Sequence, residues 1–241
     1  MKFSTFPIMI ASAIFALGAA GPAQAFVNGG FEDATLAPWT TAGGANQQTT
    51  VKTITAPEGS KMVSMRTVQN GGFASAASAG SLAAFLGLST GDLNTALGGT
   101  VFNGSAIRQH ISLAADSLLS LQFALGTLGG GGNDTAFIII NGVLTVLTDL
   151  NAGGFTVTGI PDGVFQPFQT FISSVLTAGD YDISVGVADI GNGNGRSILL
   201  VDDFLLDSEN VQTEIIPEPM TSGLIAMAIG AIGLSLRRRY A

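Results

Sequence analysis

Hydrophobic and polar residues alternate along the middle of the chain. In "AIRQHISL", Ile107, Gln109, Ile111 and Leu113 fall on one side, with Arg108, His110 and Ser112 on the other. "SLLSLQFAL" gathers Leu119, Leu121, Phe123 and Leu125, and "YDISVGVAD" gathers Tyr181, Ile183, Val185 and Val187. A period of two with one apolar face predicts half-buried strands of an antiparallel sheet. Further strands are predicted at Thr49 to Ile54, Met62 to Arg66, Thr135 to Ile140, Val143 to Leu147, Phe165 to Leu176 and Ile198 to Leu206. Asn141-Gly142, between two of these runs, is a type I′ hairpin signal. Many strands separated by glycine-rich turns predict an all-β fold, a β-sandwich of jelly-roll type.

One stretch departs from this period. Asn70 to Asn103 is rich in Gly, Ala and Ser, with apolar residues at Leu82, Phe85, Leu86, Leu88, Leu93 and Leu97. That spacing predicts two short helical turns broken near Ser89-Thr90-Gly91. The segment is expected to be an excursion between strands that covers one end of the sandwich, with a functional lid as the other reading.

The two ends of the chain are apolar without alternation. Residues 1–25 carry one positive charge at Lys2, an apolar stretch from Ile8 to Ala20, and small residues at Ala23 and Ala25. This is the pattern of a secretory signal peptide cut by signal peptidase after Ala25, so Phe26 onward is expected to be exported. At the other end, Thr221 to Leu236 contains no charge and runs into Arg237, Arg238 and Arg239. Sixteen residues at a helical rise of about 1.5 Å cover roughly 24 Å, and snorkelling arginines extend that towards the span of a bilayer core. A transmembrane helix is therefore expected over 220–241, its basic end cytoplasmic and the body outside. A buried core helix is the competing reading, and core helices rarely stop on three adjacent arginines.

Composition narrows the chemistry of the exported part. The chain has no cysteine, so no disulfide holds it. Between Phe26 and Ile216 the five basic residues Lys52, Lys61, Arg66, Arg108 and Arg196 face sixteen acidic ones, a formal charge of −11. Such a surface repels phosphate backbones, and nucleic acid is excluded as an expected partner. The single histidine, His110, lies on the polar side of a predicted strand, and no serine sits in a nucleophile-elbow motif. Sixteen acids form many pairs by chance, and no spacing singles out two glycosidase carboxylates. Gly129 to Gly132 lacks the lysine of a phosphate loop, and "DIGNGNGR" misses the calcium-hand register, so both are read as loops. Asn103-Gly104-Ser105 and Asn133-Asp134-Thr135 match the glycosylation pattern incidentally. Trp39 and Tyr181, the only Trp and Tyr of the exported body, are both expected in the core rather than as sugar platforms.

The closing "IIPEPMTSGLIAMAIGAIGLSLRRRYA", with Pro217, Glu218 and Pro219 ahead of the apolar run, resembles the PEP-CTERM sorting signal of Gram-negative bacteria and cyanobacteria. The resemblance covers about 25 residues. It implies an exosortase that removes the tail near the triplet, an inner-membrane-anchored precursor, and a mature protein of the cell surface or extracellular matrix, a setting associated with exopolysaccharide and biofilm. The sorting residues it implies are Pro217, Glu218, Pro219, Arg237, Arg238 and Arg239.

"FVNGGFED" with Trp39 downstream, and "SILLVDDFLLD" near the other end, look like the first and last strands of galactose-binding-like jelly rolls, the fold of many carbohydrate-binding modules. The similarity spans most of Phe26 to Asp207. It implies a structural calcium where the terminal strands meet, with Glu32 and Asp202 or Asp203 as ligands. Calcium takes six to eight oxygens, so carbonyls and water would complete the set. Adjacent Asp202 and Asp203 on one strand point to opposite faces, so at most one is expected to serve. The expected organisation is a signal peptide over 1–25, a β-sandwich over 26–210 with the helical excursion at 70–103, a linker over 211–219, and a sorting helix over 220–241. The expected function is that of a non-catalytic envelope or matrix protein that associates with exopolysaccharide. The alternative is an extracellular polysaccharide-active hydrolase or lyase.

Overall fold

The computed structural model describes residues 26–67, 75–127, 133–150, 164–191 and 196–208. The expected signal peptide over 1–25, the expected linker and sorting helix from 211 onward, with the Pro217 to Pro219 triplet and Arg237 to Arg239, lie outside the described residues, as do Gly129 to Gly132 and most of the "GNGNG" segment. Among the described residues no helix is long and apolar enough to cross a membrane.

In chain order the elements are β1 (Thr40–Ala42), β2 (Gly44–Gln48), β3 (Thr50–Val51), β4 (Ile54–Thr55), β5 (Met62–Arg66), β6 (Ala77–Ser78), α1 (Ala79–Phe85), α2 (Thr90–Ala96), β7 (Val101–Leu113), β8 (Leu118–Thr127), β9 (Thr135–Ile140), β10 (Val143–Asp149), β11 (Val164–Phe165), β12 (Gln169–Ile172), β13 (Gly179–Ile190) and β14 (Ser197–Asp207). They form two antiparallel sheets stacked as an all-β sandwich. The first runs β1-β7-β13-β9-β10, with β6 also on β7; the second runs β11-β8-β14-β5-β2, with β12 also on β8.

The alternation read from the sequence is what lets the sheets stack. Ile107, Ile111, Ile183, Val185, Val187 and Ile138 from the first sheet meet Leu119, Leu121, Phe123, Leu125, Leu199 and Val201 from the second in one buried cluster. Each fully buried side chain of this kind contributes about 1.5–3 kcal/mol. Asn141 and Gly142 both take positive φ, 48° and 80°, and join β9 to β10 as the hairpin signal predicts.

Three expectations are corrected. Half-burial holds along Ile107 to Leu113 of β7 and the first half of β8, but not in every central strand: β5 is buried at every position, and so is the second half of β13. Their outer faces are covered by added layers, because runs such as "AFIII" and "SILLV" carry apolar residues on both sides. The helical excursion does not cap an end of the sandwich. α1 and α2 lie on the outer face of the first sheet, where Leu82, Ala83, Leu86, Leu93 and Leu97 pack on Ala106, Phe137, Ile139, Ala188 and Ile190. A side chain at Gly104 would put its Cβ 2.7 Å from Leu82 Cδ2, so glycine there is what allows α1 this close. Val101 to Asn103, placed in the excursion by composition, open strand β7 instead.

The predicted strand Thr49 to Ile54 is the tight hairpin β3-β4, turned at Lys52 with φ +56°. Phe165 to Leu176 is likewise broken, into β11, β12 and a bridge at Leu176. Pro167, which has no N–H to give a ladder, sits between the two pieces. The helices begin where side chains replace missing partners. Ser78 Oγ accepts from Ser81 N, and Ser89 and Asp92 form a reciprocal capping box.

Candidate functional site

The terminal segments meet where the sequence placed Glu32, Asp202 and Asp203. The Glu32 carboxylate clamps the loop ahead of β5: Ser60 N and Lys61 N donate to Oε1 and Ser60 Oγ donates to Oε2, each at 2.7 Å. The Ser60 hydroxyl, followed by the Ser60 and Lys61 amides, holds this carboxyl below its usual range. Gly59, at φ +59°, allows the approach, since a Cβ there would run into Glu32 Oε1. The Lys61 ammonium donates to the carbonyls of Glu32 and Asp33 at 2.9 and 2.6 Å.

Asp202 is fully buried, and it accepts from Asp203 N at 2.8 Å and Glu58 N at 3.4 Å. Burial, helped by the charges of Asp203 and Glu32, pushes its carboxyl up to about 7. Asp203 takes φ +56° at a shift in register between β14 and β8, is half-buried, and accepts from Gln122 Nε2 at 3.2 Å. Asp202 thus lies close enough to feel the charges of both Asp203 and Glu32. Among the described residues no three His, Cys, Asp or Glu side chains gather round one point. The positive charge nearest Glu32 is the Lys61 ammonium, which occupies the carbonyls of Glu32 and Asp33.

Trp39 is packed into the core at 4% exposure. Its ring stacks on Phe26 at 5.7 Å and 6°, and lies 4.7 Å from Phe204 and 5.5 Å from Phe31. Its Nε1–H donates to Asn28 O at 3.1 Å. The cluster ties the first described residues to the last strand, and it offers no open ring face to a ligand.

The first sheet leaves part of its outer face open beyond the helices. There a depression of about 310 Å³ is lined by Pro38, Thr40, Arg108, His110 and Asp182, among others. Arg108 donates to Phe85 O at 2.9 Å with its guanidinium carbon 4.9 Å from the Phe85 ring centroid, which fixes it at the edge of α1. His110 Nδ1 lies 3.0 Å from Asp182 Oδ1, both side chains well exposed. Neither sequence motif nor spacing reveals Asp182 as the histidine's partner, because the pairing depends on the β7-β13 register that sets the two opposite each other. A second hollow of about 410 Å³ is lined by Ile140, Val143, Phe171, Ile172 and Leu176, with serines at its rim, and is mainly apolar.

No family model matches the chain, and no curated protein matches it. Several solved structures are similar in fold. TmCBM61, described in complex with β-1,4-galactotriose, aligns at 14% identity over 76% of this chain and 96% of its own, with a TM-score of 0.43. The K3 cleaved adhesin domain of Lys-gingipain from Porphyromonas gingivalis aligns at 14% identity over 77% of this chain and 100% of its own, with a TM-score of 0.44. A C-terminal family 22 carbohydrate binding module from Clostridium thermocellum aligns at 12% identity over 80% of this chain and 98% of its own, with a TM-score of 0.35.

Proposed function

We propose that this is an exported, exosortase-processed protein of the cell envelope or extracellular matrix that holds exopolysaccharide without cutting it. The observation that carries the reading is the order of the terminal signals: an export segment at the start, then Pro217-Glu218-Pro219, an apolar run and three arginines at the end. A matrix protein needs a rigid, soluble body, and the described sandwich with its acidic composition supports that role. The depression beside β1 supports the contact with glycan. Thr40, Arg108, His110 and Asp182 offer donors and acceptors together on one open face, as neutral hydroxyl-rich chains require.

The same reading includes a structural calcium held by Glu32 and Asp202. Its support is the buried Asp202 carboxyl, raised by its own burial and by two neighbouring carboxylates. Bound there, the ion would supply positive charge that keeps Asp202 ionised and fastens the N-terminal segment to β14.

The test is incubation of the purified protein with the polysaccharide of its own host. Retention of the protein with no new reducing ends is the expected result. New reducing ends would overturn the non-catalytic reading, and failure of retention would remove the glycan contact. Arg108→Ala is expected to weaken retention at least tenfold while leaving the melting temperature within a few degrees.

A further inference from the structure

The edges of the two sheets are not equally protected. A free edge strand offers unpaired N–H and C=O groups to any other chain, and it is usually blunted by brevity, charge or proline. In the first sheet β1 is three residues long, and in the second β12 is four residues long and follows Pro167. β2, the other edge of the second sheet, presents the polar side chains of Asn46, Gln47 and Gln48. β10 has none of these devices. It runs for seven residues, holds no lysine or proline, and carries no charge before Asp149. Among the described residues β9 is its one strand partner, so the other side of β10 is unpaired. A register shift between Val146 and Thr148 interrupts only the far end, and Val143 to Val146 keep regular pairing with β9.

The surroundings of this edge are apolar and uncharged. Val143 is 69% exposed and Val146 45%. The hollow of about 410 Å³ lies beside the strand, with Val143 and Thr145 on one wall and Phe171, Ile172 and Leu176 on the other. Ile172 is itself 62% exposed. The two stretches that line the hollow, Thr135 to Thr148 and Val164 to Ala178, contain no charged residue, in a body where acidic residues outnumber basic ones sixteen to five.

We propose that two copies of this chain pair through β10, antiparallel about a two-fold axis, so that their first sheets become one continuous sheet. The charge pattern selects this occupant. Two bodies of the same net charge repel over most of their surfaces and meet with least repulsion where neither carries charge. Paired with itself near Leu144 or Thr145, β10 sets valine, leucine and threonine against the same residue types, with no charge opposite another. The side chains of the copy that fall on the same face as Val143 and Thr145 then cover the hollow. β7 is the fourth strand from the join, so the Arg108 residues of the two copies stand seven strand spacings apart, roughly 34 Å. A pair of copies thereby presents two depressions beside β1 and joins two polysaccharide segments. That last consequence rests on the glycan reading; the pairing does not.

The chain has no cysteine, so one introduced thiol per copy reports the pairing without background. The test uses the full chain in mild detergent. Thr145→Cys and, on the opposite edge of the same sheet, Thr41→Cys are treated with a short bifunctional thiol cross-linker; both positions are exposed. Thr145→Cys is expected to join two copies at least tenfold faster than Thr41→Cys. Light scattering is expected to show a dimer for the wild type and for Thr145→Ser. Thr145→Lys, which brings like charges together at the join, is expected to raise the dissociation constant at least about tenfold. Because Thr145 is exposed, the lysine variant at high dilution should melt within about 2 °C of the wild type. The proposal is overturned if the wild type is a monomer at every concentration, if the two thiols cross-link at the same rate, or if Thr145→Lys associates as strongly as the wild type, the mark of association through another face. Arg108→Ala is expected to pair as the wild type does while losing retention on polysaccharide, so failure of the glycan reading leaves the pairing standing.

Discussion

Truncation of Trp39 separates a core role from a sugar platform. The ring is 4% exposed and is enclosed by Phe26, Phe31 and Phe204 with centroids between 4.7 and 5.7 Å away. Removing a buried indole to Ala costs about 3–5 kcal/mol through lost transfer and the cavity left behind. At about 2–4 °C per kcal/mol for a body of this size, the melting temperature of Trp39→Ala should fall by roughly 6–20 °C. Trp39→Phe keeps most of the packing and loses the Nε1–H to Asn28 O bond, so it should cost about 1–2 kcal/mol. The chain has one tryptophan, so its emission in the wild type reports this cluster alone. Emission should be blue-shifted, poorly quenched by acrylamide, and unchanged when host polysaccharide is added. The reasoning is refuted if Trp39→Ala melts within 2 °C of wild type but loses retention on polysaccharide, or if polysaccharide quenches the tryptophan.

Gly59→Ala forces a side chain into φ +59° and against Glu32, so about 1–2 kcal/mol of backbone strain should appear together with release of the loop clamp. Glu32→Gln should release the clamp without the strain, and the difference in melting temperature between the two variants measures the backbone share. Asp202 sets a pH dependence in chelator: its folded carboxyl, near 7, binds a proton more tightly than the unfolded chain does, so its stabilisation is complete below about pH 4 and lost as pH rises to 7. Urea midpoints should therefore fall across that window, and Asp202→Asn should flatten the fall; an unchanged slope in the variant removes Asp202 as its source. Leu93→Ala, on the helical cover, should cost about 2–5 kcal/mol, and hydrogen exchange should quicken first at α2 while β8 and β14 stay protected.

The inner faces were legible because period two is a local signal. Ile107, Leu121 and Val185 each point inward as their own strands require, with no knowledge of partners. The outer layers were not legible as such, because a run like "FIII" says only that both faces are covered, and the cover comes from α1 and α2 many residues earlier in the chain. Helix existence was readable from the leucine spacing and from Ser89 with Asp92, whereas the surface those leucines meet is set by sheet order. The free edge of β10 was hidden for a similar reason. "VLTVLTD" reads as a strand on its own, and only the sheet order leaves one of its sides unpaired. Pro167 could have divided the predicted strand Phe165 to Leu176, since proline interrupts a ladder wherever its N–H is needed.

The central claim concerns the fate of the C-terminal segment, and a mass-spectrometric map of the C-terminal peptide tests it most directly. The protein is recovered from its native envelope and medium, in the presence and absence of the sorting enzyme. A chain that ends near Pro217 to Pro219 only when the enzyme is present is the predicted result. Persistence of Arg237 to Ala241 in the wild type would contradict the account, making the segment a permanent anchor and returning the protein to the inner membrane.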